Sequence, residues 1–120
     1  MRLLVTGGAG FIGANLCARA LAEGHDVVVV DDLSTGERDN VGGLDLRLVE
    51  ASVLDAAALA DAMTGVDAVV HLAALGSVPR SIKDPMATHE ANATGTLRVL
   101  EAARAAQVGH VSVASSSSVY

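Results

Sequence analysis

The chain has 120 residues, 51% of them hydrophobic, 2% aromatic and 18% charged, with a formal net charge of −6. That length makes one domain with a real core, and the apolar share with dispersed glycines excludes disordered, collagen-like and low-complexity chains. No apolar run approaches the roughly 20 residues of a membrane span and no signal-peptide pattern opens the chain, so a soluble, cytoplasmic protein is expected.

The hydrophobic period changes in a regular order. Residues 2–6 form a short apolar run that stops at glycines, as a buried parallel strand does. Residues 11–23 space Ile12, Leu16, Ala20 and Leu21 at helical intervals, with Gly24 as the stop. Cys17 falls on that apolar face, and a single cysteine there reads as a packed side chain rather than a nucleophile. A β-branched strand follows at 26–30, then turn residues from Asp31 to Gly36. A weaker third strand spans 44–49 and an alanine-rich helix about 55–63, closed by Gly65. A fourth strand covers 66–73. A long helix over 84–107 puts Leu97, Leu100 and Ala103 on one face, and a fifth strand covers 108–114. Alternating strands and helices predict right-handed crossovers and an α/β fold whose parallel sheet is covered on both faces. Strand order is not readable from periodicity.

Glycines between the first strand and first helix have a mechanism in that context. They allow a tight turn, let backbone approach a pyrophosphate, and leave helix-start amides facing the phosphates. The spacing reads as Gly8-x-Gly10-x-x-Gly13 or as Gly7-x-x-Gly10-x-x-Gly13. Asp31 ends the second strand at the roughly 20-residue distance where an acid hydrogen-bonds an adenosine ribose. Its carboxylate repels a 2′-phosphate, Asp32 adds a second negative charge, and NAD is therefore favoured over NADP. Asp32 reads equally well as a solvated turn residue. The acidic balance, with scattered Lys and Arg and no interleaved aromatics, points away from nucleic acid. Metal ligation by Cys and His has little support.

Five ordered segments resemble the extended short-chain dehydrogenase/reductase superfamily: Thr6 to Gly13, Asp31 to Gly36, His71 to Ala74, Asn92 to Thr96, and Ser115 to Tyr120. Within it, Ala73 to Ile82 followed by Asp84-Pro85 most resembles the UDP-hexose 4-epimerases, in particular those acting on N-acetylated UDP-sugars. The resemblance implies a Rossmann-type doubly wound sheet of order 3-2-1-4-5 with NAD across the strand ends. It implies that Gly7, Gly10 and Gly13 carry the pyrophosphate, with Phe11 and Ile12 packed beside it. Asp31 would hold the adenosine ribose, with Asp32, Thr35 and Gly36 at the same end and Ser52 and Val53 near the adenine. Leu72, Ala73 and Ala74 would back the nicotinamide side, with Asn92 supporting the strand ends. Ser77 falls on the substrate side. His71 reads better as a half-buried strand residue than as a site group.

The same resemblance places the catalytic hydroxyl at Ser116, with Ser117 the nearest alternative, there to hydrogen-bond the 4-oxygen of a UDP-sugar substrate. Relatives often carry Gly-Asp where this chain has Ala51-Ser52, which implies an altered adenine contact. The general base of the superfamily is a tyrosine with a lysine four residues on. Here the one tyrosine is Tyr120 and the one lysine is Lys83, so Tyr-x-x-x-Lys does not occur. The chain therefore reads as the N-terminal part of a longer enzyme, truncated before the last strands and the substrate subdomain. Such a piece is expected to expose an unpaired sheet edge and to be catalytically inactive alone, while the full-length relatives imply a homodimer. A nucleotide-sugar 4,6-dehydratase or decarboxylase parent is the alternative, but Ser117 and Ser118 stand where dehydratases carry acids.

Overall fold

The computed structural model describes residues 1–116. Strands β1 (Arg2–Thr6), β2 (Asp26–Asp31), β3 (Arg47–Glu50), β4 (Ala68–His71) and β5 (His110–Val113) form one parallel sheet of order β3-β2-β1-β4-β5. The chain moves outward from β1 to β3, then crosses back to place β4 on the other side of β1. That reversal leaves a crevice above the carboxyl ends of β1 and β4, the switch point at which doubly wound folds bind ligands.

The strands are continuous apolar runs because both sheet faces are covered. Leu3, Val5, Val27 and Val29 meet helix α1 (Phe11–Ala22) through Cys17 and Ala20. Leu4, Val28, Val30 and Val69 face α2 (Ala56–Ala62) and α5 (Gly95–Ala105) through Leu59, Ala62, Val99 and Ala103. Asp55 caps α2 by accepting the Ala58 amide hydrogen at 3.1 Å, which satisfies one of the orphan donors at a helix start.

The expected long helix is subdivided. The short helix α3 (Val78–Lys83) precedes it, and α4 (Pro85–His89) runs through a π-helical turn, Glu90–Thr94, into α5. The buried stripe of α5 is Gly95, Val99 and Ala103, whereas Leu97 and Leu100 are 58% and 41% exposed. The spacing of apolar residues suggested the leucine face. Packing reverses that choice: Val99 and Ala103 share the core with Val53 from the β3–α2 connection, and Gly95 sits so close to it that a Cβ there would lie 2.8 Å from Val53 Cγ2. Ile12 is likewise exposed, because Gly13 and Cys17 carry the packed face of α1. The third, fourth and fifth strands are shorter than their apolar runs; Leu44 and Leu46 pack against the α1-side core from outside β3.

Candidate dinucleotide site

A cavity of about 370 Å³ fills the crevice at the switch point. That volume lies within the range of small-molecule sites. Gly7 and Gly10 form its base. Asp31, Asp32, Thr35 and Gly36 form one wall, Ser52 and Val53 close that end, and Leu72, Ala73 and Ala74 form the opposite wall.

Gly7 has φ +71°, and a Cβ there would lie 2.9 Å from the Ala73 amide nitrogen. Two strand ends therefore converge on a residue without a side chain. Gly8 is packed away from the cavity, its Cβ position 2.6 Å from Val29 Cγ2. Where the two overlapping spacings differ, Gly7 and not Gly8 lines the cavity, together with the shared Gly10. Gly13 does not line the cavity; its Cβ would collide with the Gly7 carbonyl and lie 2.6 Å from Gly8 Cα, so it sets how closely α1 approaches the turn.

Phe11 and Ile12 lie outside the lining, with side chains 84% and 68% exposed. What they can offer the cavity is the backbone: as first-turn residues of α1 their amides have no intrahelical acceptor, and the helix dipole makes that end attractive to anions.

Asp31 is buried. One carboxylate oxygen accepts the Ala9 amide hydrogen at 2.9 Å and the other the Leu33 amide hydrogen at 2.8 Å. The Ala9 carbonyl in turn accepts from the Glu37 amide at 3.1 Å and Asn40 Nδ2 at 2.7 Å. The glycine turn is thus pinned from three sides. Asp32 accepts the Ser34 amide hydrogen at 2.9 Å in a local turn and also lines the cavity. Ser52 Oγ accepts the Leu54 amide hydrogen at 3.0 Å and keeps its own proton to donate.

His71 is fully buried, not half-buried, at 3% exposure. The reason is its partners: Nδ1 lies 2.6 Å from Thr6 Oγ on β1, and Nε2 lies 3.0 Å from Thr96 Oγ on α5. Burial pushes its pKa below the ordinary 6.5. Asn92, in the π turn, does not line the cavity but grips its wall: Oδ1 accepts the Leu75 amide hydrogen at 2.7 Å and Nδ2 donates to the Leu75 carbonyl at 2.9 Å.

Ser77 also lies outside the lining. Its hydroxyl accepts the Arg80 amide hydrogen at 3.4 Å, at the start of α3, and its φ of +92° is rare for a side-chain-bearing residue. Ser116 follows β5, whose exit is tied to β4 by the Ala114 amide donating to the His71 carbonyl at 3.1 Å. Ser117, Ser118, Val119 and Tyr120 lie outside the described residues.

Ala87, Glu90 and Ala91 also line the cavity and carry no sequence signal of their own, because only the topology brings α4 and the π turn there. Asp31, Asp32 and Glu90 are the charged residues of the lining, and none is cationic. Among the described residues no cluster of three His, Cys, Asp or Glu could hold a metal ion. The side-chain-free turn, the helix-start amides and the Asp31 and Asp32 carboxylates fit a dinucleotide, and the carboxylates disfavour an added 2′-phosphate.

The profile of the NAD dependent epimerase/dehydratase family matches residues 3–120. The chain belongs to that family. It is similar to a UDP-glucose 4-epimerase of Klebsiella pneumoniae, 34% identical over 100% of this chain and 92% of the relative. It is 43% identical to a UDP-glucose 4-epimerase of Mycolicibacterium smegmatis, over 100% of this chain and 40% of the relative. The crystal structure of UDP-glucose-4-epimerase from Stenotrophomonas maltophila, with bound NAD and formylated UDP-arabinopyranose, matches with a TM-score of 0.95 and 37% identity, covering 100% of this chain and 38% of that one. A dTDP-glucose 4,6-dehydratase from Streptomyces venezuelae, solved with NAD and TYD, matches with a TM-score of 0.84 and 43% identity, over 92% of this chain and 38% of that one. The chain thus spans about two fifths of the length of three of these four relatives.

Proposed function

We propose that this chain is the NAD-binding part of a nucleotide-sugar epimerase that inverts C4 of a UDP-hexose through transient oxidation to a 4-keto sugar. The observation that carries the reading is the coincidence of the glycine cradle, the Asp31 clamp and the switch-point cavity in a chain whose relatives include UDP-glucose 4-epimerases. Bound NAD supplies the hydride acceptor and donor.

The chain's own residues bind and orient. Gly7 and Gly10 with the amides at the α1 start hold the pyrophosphate. Asp31 holds the adenosine ribose with the lone pairs its backbone partners leave free, and Asp32 excludes a 2′-phosphate. Ser52, beside Val53, offers the adenine a hydroxyl proton. Leu72, Ala73 and Ala74 keep water from the nicotinamide end, Asn92 steadies that wall, and Ser77 meets the sugar nucleotide. Ser116 hydrogen-bonds the sugar 4-oxygen as its proton leaves. The proton acceptor of such a reaction, Tyr-x-x-x-Lys, is not in these 120 residues, so the chain alone binds and does not turn over. The epimerase is a cytoplasmic homodimer, with the exposed Leu97 and Leu100 face of α5 as its contact.

A dehydratase parent is the second reading, favoured by 43% identity over 109 residues to a dTDP-glucose 4,6-dehydratase of Mycolicibacterium smegmatis. Ser117 and Ser118, in place of acids, weigh against it.

Calorimetric titration of the 120-residue chain with NAD and with NADP tests the cofactor assignment. Saturable NAD binding, at least about tenfold tighter than NADP, is the expected result. A folded chain that binds neither overturns it. Incubation with NAD and UDP-glucose tests the division of labour, and turnover by the isolated chain would overturn the assignment of proton transfer to the missing motif.

A further inference from the structure

Counting protons along the contacts of His71 gives its tautomer. The Ala73 amide donates to Thr6 Oγ at 3.1 Å, and the Leu72 amide, shared with the Thr6 carbonyl, approaches the same oxygen at 3.1 Å. With both lone pairs engaged, the Thr6 hydroxyl can only donate, and its neighbour at 2.6 Å is His71 Nδ1. The other end is set independently. Thr96 spends its one hydroxyl proton on the Asn92 carbonyl at 2.6 Å, so toward His71 Nε2 at 3.0 Å it accepts. Both ends demand a ring that accepts at Nδ1 and donates at Nε2.

We infer that His71 is a positioning residue, locked as the neutral Nε2–H tautomer, that ties the cavity wall at residues 72–75 to β1 through Thr6 and to the π turn through Thr96 and Asn92. The direction of every bond in the series is fixed: amides of 72 and 73 to Thr6, Thr6 to His71, His71 to Thr96, Thr96 to the Asn92 backbone. The Asn92 side chain then closes the loop on both backbone groups of Leu75. A second proton on the ring has no acceptor at Nδ1, so His71 is unsuited to proton transfer and suited to holding Ala73, whose backbone also packs on Gly7. The consequence for a cofactor rests on the proposed function; the lock itself does not.

The test is nitrogen-15 NMR on the 120-residue chain, combining ring-nitrogen correlations of His71 with amide exchange in three variants. At neutral pH the expected ring carries its proton on Nε2. His71→Phe speeds exchange at Ala73 and Leu75 by about tenfold. His71→Asn, whose Oδ1 can still accept from Thr6, restores Ala73 and not Leu75. Thr96→Val speeds Leu75 alone and remains informative if His71→Phe does not fold. A ring protonated on Nδ1 or on both nitrogens overturns the inference. So does acceleration in Thr96→Val that extends equally to the β2 amides of Val28 and Val29, or no change at Leu75. A chain that shows the expected pattern but binds no NAD would sink the proposed function and leave the lock standing.

Discussion

The Asp31 carboxylate accepts the Ala9 amide hydrogen at 2.9 Å, joining the end of β2 to the middle of the glycine turn. One side chain thus fixes the glycine turn and lines the cavity beside it, and in the proposed function it also receives the adenosine ribose. Asp31→Ala leaves the Ala9 and Leu33 amides without partners in a buried setting, and a loss of about 1–3 kcal/mol is expected in urea denaturation. NAD affinity should fall by about tenfold or more in the same variant. Asp31→Asn keeps one acceptor oxygen and should fall between the two proteins in both measurements.

The turn glycines separate conformational need from empty space. Gly7→Ala meets both a φ of +71° and the Ala73 backbone at 2.9 Å, so a loss of about 2 kcal/mol or more, with loss of NAD binding, is expected. Gly76 has a φ outside the left-handed region and nothing within 4 Å of its Cβ position. Gly76→Ala should stay within about 0.5 kcal/mol of the parent chain, and the comparison is a pair of melting curves.

His71 makes stability depend on pH with a definite sign. The unfolded chain takes up a proton at the ordinary value of 6.5, while the folded chain resists until its lowered pKa is reached. Its contribution is complete above pH 6.5, declines as pH falls from there to the folded value, and then levels off. Urea midpoints measured across that range should fall more in the parent chain than in His71→Asn, and parallel curves would remove His71 as the cause.

Cys17 has no exposed surface, and burial raises its thiol pKa to about 11. The thiolate is the reactive species, so a thiol reagent should label the folded chain at neutral pH only as fast as it opens. Labelling that tracks urea unfolding is the expected outcome; rapid labelling of the native chain would contradict the packing of α1 on β1 and β2.

The glycine turn and Asp31 were legible in the sequence because their chemistry is local: a turn that needs missing side chains and an acid at the end of the next strand. Which of two overlapping glycine spacings bears on the cavity was not legible, since it depends on whether Val29 or Ala73 lies beneath each glycine. Phe11 and Ile12 show the opposite limit. Their position beside Gly10 suggested contact, yet the direction of their side chains follows from the packing of Gly13 and Cys17.

Period and punctuation in the sequence determine by themselves the alternation of strands and helices, the two-sided burial of the sheet and the side-chain-free turn between the first strand and the first helix. Those properties depend on neighbours a few residues apart. Only the tertiary structure decides that α5 packs through Gly95, Val99 and Ala103, that Glu90 and Ala91 join the cavity wall, and that His71 is buried between Thr6 and Thr96. Each depends on distances between segments far apart in the chain, set where the β1–β4 switch brings β1, β4 and the π turn together.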